Sequence, residues 1–229
     1  MSSQIGIDDT VTDGLIFCLD TMNSKCFNVT GSTLFDMGSA NLDMVNSKAV
    51  TVGRDGVCEN FSGGISTPGH LYNSSSISLM SDYTVDVWCY PTATSGDYGL
   101  VTWGNDSEGS YKRRGVILWA NKIRHSTNGS NPYHADITAN NWYHYSVALQ
   151  SNGTVTMVQN GQSQTVVGSN TLATGSHNTF RIGAGEVATN WPGRIGPVRI
   201  YNRVLTTSES LQNYNAMAHR FDGHSGSGA

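Results

Sequence analysis

Between Phe180 and Tyr214 the chain changes its local rules four times, and each change narrows what it can fold into. Thr179-Phe180-Arg181-Ile182 is a β-favouring run that stops at Gly183. Trp191-Pro192-Gly193 predicts a type II turn, with proline pre-setting the first central position and glycine accepting φ > 0 at the second. Arg194 to Tyr201 then reads as a strand whose apolar positions switch parity between Ile195 and Val198, across Gly196-Pro197. A period of two cannot survive that switch without an extra residue, so a bulge or an edge position is predicted there. Thr206 and Glu209 have the spacing of a capping box, which starts a short helix. On that helix Leu211, Tyr214 and Ala218 share one face, the expected buried one.

Upstream, strand signals recur at regular intervals. Gly14 to Asp20 is the first, and short runs follow at Leu34 to Met37 and Ala49 to Val52. Tyr83 to Tyr90 alternates cleanly and stops at Pro91. Asp97 to Trp103, Gly115 to Ala120, Lys122 to His125 and Asn141 to Leu149 continue the series. Gly153 to Gln159 and Gln162 to Val167 flank Asn160-Gly161, the signature of a type I′ hairpin. Many short strands separated by turn signals predict an all-β, two-sheet antiparallel sandwich with one short C-terminal helix. Residues 1–13 read as an arm in which Ile5, Ile7 and Val11 alternate, suited to adding as a strand to a sheet edge. Residues 14–221 form the sandwich, and 222–229 read as a flexible tail.

The run Gly193 to Leu205, followed by Glu209 and Gln212-Asn213-Tyr214-Asn215, resembles the closing motif of concanavalin A-like, laminin-G-like jelly-roll domains. It is most similar to the variant found in tailed-phage structural proteins. Tyr83–Tyr90, Asn141–Leu149 and the opening strand fit the same resemblance, which spans roughly residues 14–221. The resemblance implies a jelly roll and a non-enzymatic virion structural protein: a capsid decoration (cement) protein, or another head or tail surface protein. Its partners would then be the major capsid protein or another virion protein, contacted by the arm. It would be a homo-oligomer, a trimer by analogy, made in the host cytoplasm and displayed on the virion surface. The alternative is a glycan-binding adhesin for host surface polysaccharide, with Trp103, Tyr111 and Trp119 as stacking residues. The family also implies a calcium option at a loop rim, where Asn105 and Asp106 supply hard oxygen ligands; a solvated acidic loop is the competing reading. No other cofactor is expected.

Composition and motifs exclude several other classes. Charged residues are 13% of the chain, and Gly is 26 of 229, which suits an exposed β protein. A net charge of −4 argues against nucleic acid, and Lys112-Arg113-Arg114 reads as a solvated loop. No apolar run follows the start as in a signal peptide, and none is long enough to insert in a membrane. Cys18, Cys26, Cys58 and Cys89 match no zinc or redox spacing and are expected as buried free thiols. Jelly-roll glucanases need two glutamates close together on a strand. Here Glu186 and Glu209 are the nearest pair, 23 residues apart, and the strand Tyr83–Tyr90 carries Asp86 alone. Gly183 to Ala188 fits the dinucleotide pattern G-x-G-x-x-A, but Trp191-Pro192-Gly193 stands where its helix should begin. His144 lies inside a strand and is expected to be structural.

Overall fold

The computed structural model describes residues 9–27, 32–46, 50–53, 56–59, 61, 69–75, 77, 82–104, 114–126, 133–167, 179–185 and 190–221. Ile5, Ile7, Asn105, Asp106, Tyr111, the Lys112-Arg113 pair and the tail 222–229 lie outside these residues.

The chain folds as two antiparallel sheets and one helix. The N-terminal third supplies β1 (Leu15–Leu19), β2 (Thr33–Leu34), β3 (Met44–Asn46), β4 (Thr51–Val52), β5 (Cys58–Glu59) and β6 (Leu71–Asn73). The middle supplies β7 (Tyr83–Pro91), β8 (Asp97–Gly104), β9 (Arg114–Trp119), β10 (Lys122–Ser126) and β11 (Tyr133–Asp136). Then come β12 (Tyr143–Leu149), β13 (Thr154–Gln159), β14 (Gln162–Val167), β15 (Thr179–Ile182), β16 (Gly193–Tyr201) and α1 (Thr207–Ala218). Sheet I runs β14-β13-β12-β7-β16-β5-β4, with β1 also on β16; sheet II runs β11-β10-β9-β8-β15-β6-β3-β2. This is the predicted sandwich, consistent with a jelly roll.

Alternation puts Tyr83, Val85, Val87 and Cys89 of β7 into the core, with Tyr145, Val147 and Leu149 of β12 beside them. Sheet II answers with Val101, Trp103, Val116, Leu118, Ile123 and Phe180. Phe17 and Phe180 meet edge to face across the sandwich, ring centroids 5.0 Å apart. The four cysteines are buried and free. Burial pushes the Cys18 and Cys26 thiols up to about 11 and about 12, and moves Cys89 in the same direction.

The bulge in β16 is present between Ile195 and Val198. It also divides the strand's outer edge: β1 pairs with Val198 to Tyr201, and β5 pairs at Ile195. Proline at 197 has no N–H to give a ladder, so the change of neighbour falls where pairing is already broken. Asn160 and Gly161 have φ of 48° and 79°, as the type I′ hairpin requires.

Two local expectations need correction. At 191–193, Gly193 enters β16 directly, with φ of 139°, and Pro192 O accepts from the Thr92 amide at 2.6 Å. The glycine serves a close approach: a Cβ there would sit 2.1 Å from Tyr90 O. On α1 the capping box forms as predicted, and Tyr214 and Ala218 pack toward Trp88, Met217 and Phe221, but Leu211 is 39% exposed and the fully buried residues include the polar Ser210 and Asn213. The outer face of sheet I explains the buried polar positions. It carries Asp86, His144, Ser146 and Arg199, all buried, so the helix must bring polar groups to meet them.

Candidate functional site

Sheet II leaves one end of its outer face open, and the β9–β10 hairpin shapes it. Ala120 and Asn121 form the connection with φ of 50° and 63°. Their amides donate to Gly96 O (3.3 Å) and Thr94 O (2.9 Å), and Thr94 Oγ1 donates to Asn121 Oδ1 (2.6 Å). The turn fixes the register, with Lys122 opposite Trp119 and Arg124 opposite Ile117. Since Val116, Leu118 and Ile123 point into the core, Trp119, Lys122 and Arg124 must stand on the outer face. β11 adds Tyr133 opposite Arg124 and Asp136 opposite Lys122.

The Arg124 guanidinium lies between two rings, 4.5 Å from the Trp119 centroid and 4.9 Å from that of Tyr133. Lys122 Nζ stands 4.6 Å over Tyr133 and is ion-paired with Asp136. Each ring is 44% exposed. Contacts of this kind contribute about 0.5–1 kcal/mol each at exposed sites. They tie the two rings to the cations, and the partly exposed rings and N–H donors stand together at the surface. Beside this patch the loop at 183–185 lies on the sheet. Thr102 Oγ1 donates to Ala184 O at 2.7 Å, and a Cβ on Gly99 would come within 2.1 Å of the Ala184 carbonyl carbon. The dinucleotide-like glycines are thus a sheet cover, and β16 follows them instead of a helix.

Of the three aromatic residues expected at a binding face, Trp119 stands on the outer face of sheet II, 44% exposed. Trp103 does not: it is 1% exposed and packs edge to face on Tyr83 at 5.4 Å, so it can offer no stacking surface. Its position on β8 has core parity, and the sequence on either side does not say which face of that strand is covered. Tyr111, with Asn105 and Asp106, falls outside the described residues. Among the described residues no group of three His, Cys, Asp or Glu side chains is placed to hold a metal. Sequence reasoning missed Tyr133, Arg124, Lys122 and Asp136. A signal existed for the cations: in Lys122-Ile123-Arg124 the lone apolar residue implies that both cations face away from the core.

Val11 also needs correction as a partner-binding residue. Its amide donates to Asn213 Oδ1 (2.9 Å), its carbonyl accepts from Tyr201 Oη (3.0 Å), and its side chain packs with Tyr201 and Leu205. Gln212 Nε2 donates to Asp9 O at 2.9 Å. Residues 9–13 therefore pack on the sandwich.

Beneath α1 a polar cluster is closed to solvent. Asp86 Oδ2 meets His144 Nε2 at 3.0 Å and accepts from Asn213 Nδ2 at 3.2 Å; Arg199 Nη1 is 3.6 Å from Oδ1. Ser146 Oγ and Ser210 Oγ are 2.9 Å apart. Burial works to raise the Asp86 carboxyl, but the charge and hydrogen bond of His144, then Arg199 and Asn213, hold it below the ordinary carboxylate value. Asp86 and His144 have no exposed atoms, so this acid–imidazole pair joins helix to sheet and cannot meet a substrate as it stands.

A family model described as the concanavalin A-like lectin/glucanases superfamily matches residues 62–209. No curated protein matches the chain. Among solved structures, the chain is similar to Trypanosoma rangeli sialidase in complex with sialic acid, with a TM-score of 0.69 and 16% identity over 90% of this chain and 33% of that one. It is similar to the binding domain of botulinum neurotoxin serotype D (TM-score 0.66, 13% identity, 90% of this chain, 52% of that one). It is also similar to the binding domain of botulinum neurotoxin DC in complex with rat synaptotagmin II (TM-score 0.66, 11% identity, 91% and 52%). The chain thus spans about a third of the sialidase and about half of each toxin binding domain.

Proposed function

The chain belongs to the concanavalin A-like lectin/glucanases superfamily, and from that premise we propose that it is a non-enzymatic recognition domain that binds carbohydrate through the open end of sheet II. The observation that carries this reading is the exposed pair Trp119 and Tyr133 with the Arg124 guanidinium against both. A sugar ring is apolar on its C–H faces and polar at its rim. It needs an aromatic platform and neighbouring donors, and this patch supplies both. The sialidase crystallised with sialic acid supports the class of ligand by likeness of fold alone. The non-enzymatic part rests on Asp86: the carboxylate on the central strand is sealed and engaged by His144 and Asn213, leaving no exposed acid on that strand.

The setting we propose is the outside of a tailed-phage particle, from the resemblance carried by residues 193–205 and 209–215. Here the polysaccharide would be that of the host surface. A second reading, capsid decoration, rests on the same closing motif. With Val11 docked on its own domain, the contact with a capsid protein would fall to residues upstream of Asp9 or to the sandwich surface.

Binding of the full chain to host cell-wall or capsular polysaccharide tests the recognition reading. Trp119→Ala and Tyr133→Ala should each weaken binding by about tenfold, which corresponds to about 1.4 kcal/mol. Unchanged affinity in both variants would rule the patch out. Native mass spectrometry tests assembly, where a trimer would appear at three times 24.6 kDa.

A further inference from the structure

On the opposite side of the sandwich, where the C-terminal end of α1 meets sheet I, lies a cavity of about 210 Å³ lined by Gly53, Val57, Glu59, Trp142, Arg194, Arg220 and Phe221. We propose that it is a second ligand site, for a single carboxylate-bearing sugar unit. The proposal rests on the reading above only in taking the ligand to be a saccharide, since the two sites share no residue.

Position comes first. Cys58 and Ile195 point into the core, so Glu59 and Arg194, their neighbours on β5 and β16, stand on the outer face. Phe221, just beyond α1, lies against Trp142 at 4.5 Å and against Trp88 at 4.4 Å, giving the cavity an aromatic wall. Val57 completes the apolar side.

The polar side holds the guanidiniums of Arg194 and Arg220, each paired with one carboxylate, Glu59 and Asp20 respectively. Arg220 is clamped by Asp20 through 2.7 and 3.0 Å bonds, which fix its plane. Arg194 is half-exposed and donates through Nε to Glu59 Oε2 at 3.1 Å. Its two Nη groups have no acceptor among the described residues, and a guanidinium fork matches a carboxylate with two parallel N–H donors. The indole Nε1 of Trp142 is buried and likewise has no acceptor among the described residues. Such a group is satisfied in most proteins by a ligand, water or another protein group.

Together these features describe a ligand with an anionic end for Arg194, hydroxyls for Glu59 to accept from, and a ring face for Trp142 and Phe221. The volume is below the range of about 300–1,000 Å³ typical for drug-sized ligands, which fits one pyranose unit and not a chain of them.

Nuclear magnetic resonance titration of the full chain with methyl glucuronide, and with methyl glucoside as its neutral counterpart, tests the proposal. The glucuronide should shift the indole N–H signal of Trp142 and leave that of Trp119 in place. The neutral sugar should bind at least about tenfold more weakly, and Arg194→Gln should lose a similar factor for the glucuronide alone. Trp119→Ala should leave this titration unchanged, so a failed sheet II patch and a failed cavity are told apart. Equal affinity for both sugars, a shift confined to Trp119, or no shift of Trp142 in the wild-type chain would each overturn it. The wild-type readings decide the matter even if Arg194→Gln does not fold.

Discussion

The outer faces of the two sheets are built from similar strands and end in opposite states. On sheet I, Thr84, Asp86, Trp88 and Tyr90 of β7 alternate with the core residues, yet all four are buried, because α1, residues 9–13 and Phe221 cover them. On sheet II, Trp119 and Tyr133 hold large rings at the surface beside Lys122 and Arg124. The covered face mixes buried polar groups with Trp88 and Tyr90, whereas the open one leaves its rings at the surface. A buried polar face can be stable if its groups find partners, and here Asn213 serves three at once: Asp86, Tyr201 and the Val11 amide. Exposed rings of this size are the feature on which the proposed recognition role rests.

The largest way to break this comparison is Asp86→Ala. Removing the carboxylate leaves His144, Arg199 and Asn213 facing one another in a closed space, and breaking a buried charge cluster costs about 3–5 kcal/mol. Chemical denaturation should show that loss. Arg124→Ala, which removes two cation–ring contacts, should lose about 1–2 kcal/mol in the same assay, and Trp119→Ala, which removes one, about 0.5–1 kcal/mol. If the two faces gave equal losses, the division between a structural face and a binding face would be wrong.

Acid should act on the same side. The Asp86 carboxyl is held below its ordinary value in the fold, so its contribution is present above the unfolded-state value, near 3.9, and fades as pH falls through the folded one. Glu209 is lowered from 4.5 to about 2, first by the hydrogen bonds of Arg203 and then by the Thr206 amide. Its contribution is complete above 4.5 and is lost progressively between 4.5 and about 2. Thermal midpoints followed by circular dichroism should hold steady from pH 7 to about 5 and fall below that. Glu209→Gln should flatten part of the fall. An unchanged slope in that variant would remove the helix start from the acid response.

Most of the architecture was legible because period-two alternation and turn chemistry are local. Asn160-Gly161, the parity switch at Gly196-Pro197 and the Thr206–Glu209 box each report a backbone conformation that few other residue choices allow. What was not legible depends on long-range placement. Leu211, Tyr214 and Ala218 make one apolar helix face, but the part of sheet I under Ser210 and Asn213 is polar, and that is not visible from the helix alone. Trp103 and Trp119 have similar local surroundings; their opposite fates follow from strand parity and from which part of sheet II the 183–185 loop covers. β11 escaped notice because four residues, Tyr133 to Asp136, carry too little alternation to announce a strand.

The helix cap offers a milder test of the covered side. Thr206 Oγ1 accepts from the Glu209 amide at 3.2 Å, and Thr206→Ala should cost about 1 kcal/mol, read as a lower denaturation midpoint with unchanged slope. A changed slope would mean that α1 detaches as a separate unit, leaving the polar face of sheet I exposed before the sandwich melts.

The smallest expected effect belongs to the open side. Ala120 sits at φ of 50°, a left-handed conformation that costs an L-residue roughly 1–2 kcal/mol. Ala120→Gly relieves that strain but gives the unfolded chain more freedom, an opposing contribution of about 0.4–1 kcal/mol. The net should be a gain of about 0.5 kcal/mol, read as a small rise in midpoint. Polysaccharide affinity should not change, because the pairing of Trp119 with Lys122 and of Ile117 with Arg124 is set by the whole β9–β10 ladder and not by one residue of its turn. A stabilised variant with weakened binding would say otherwise: that the strained alanine helps aim the Trp119 ring, and that the open face spends stability on precision where the covered face does not.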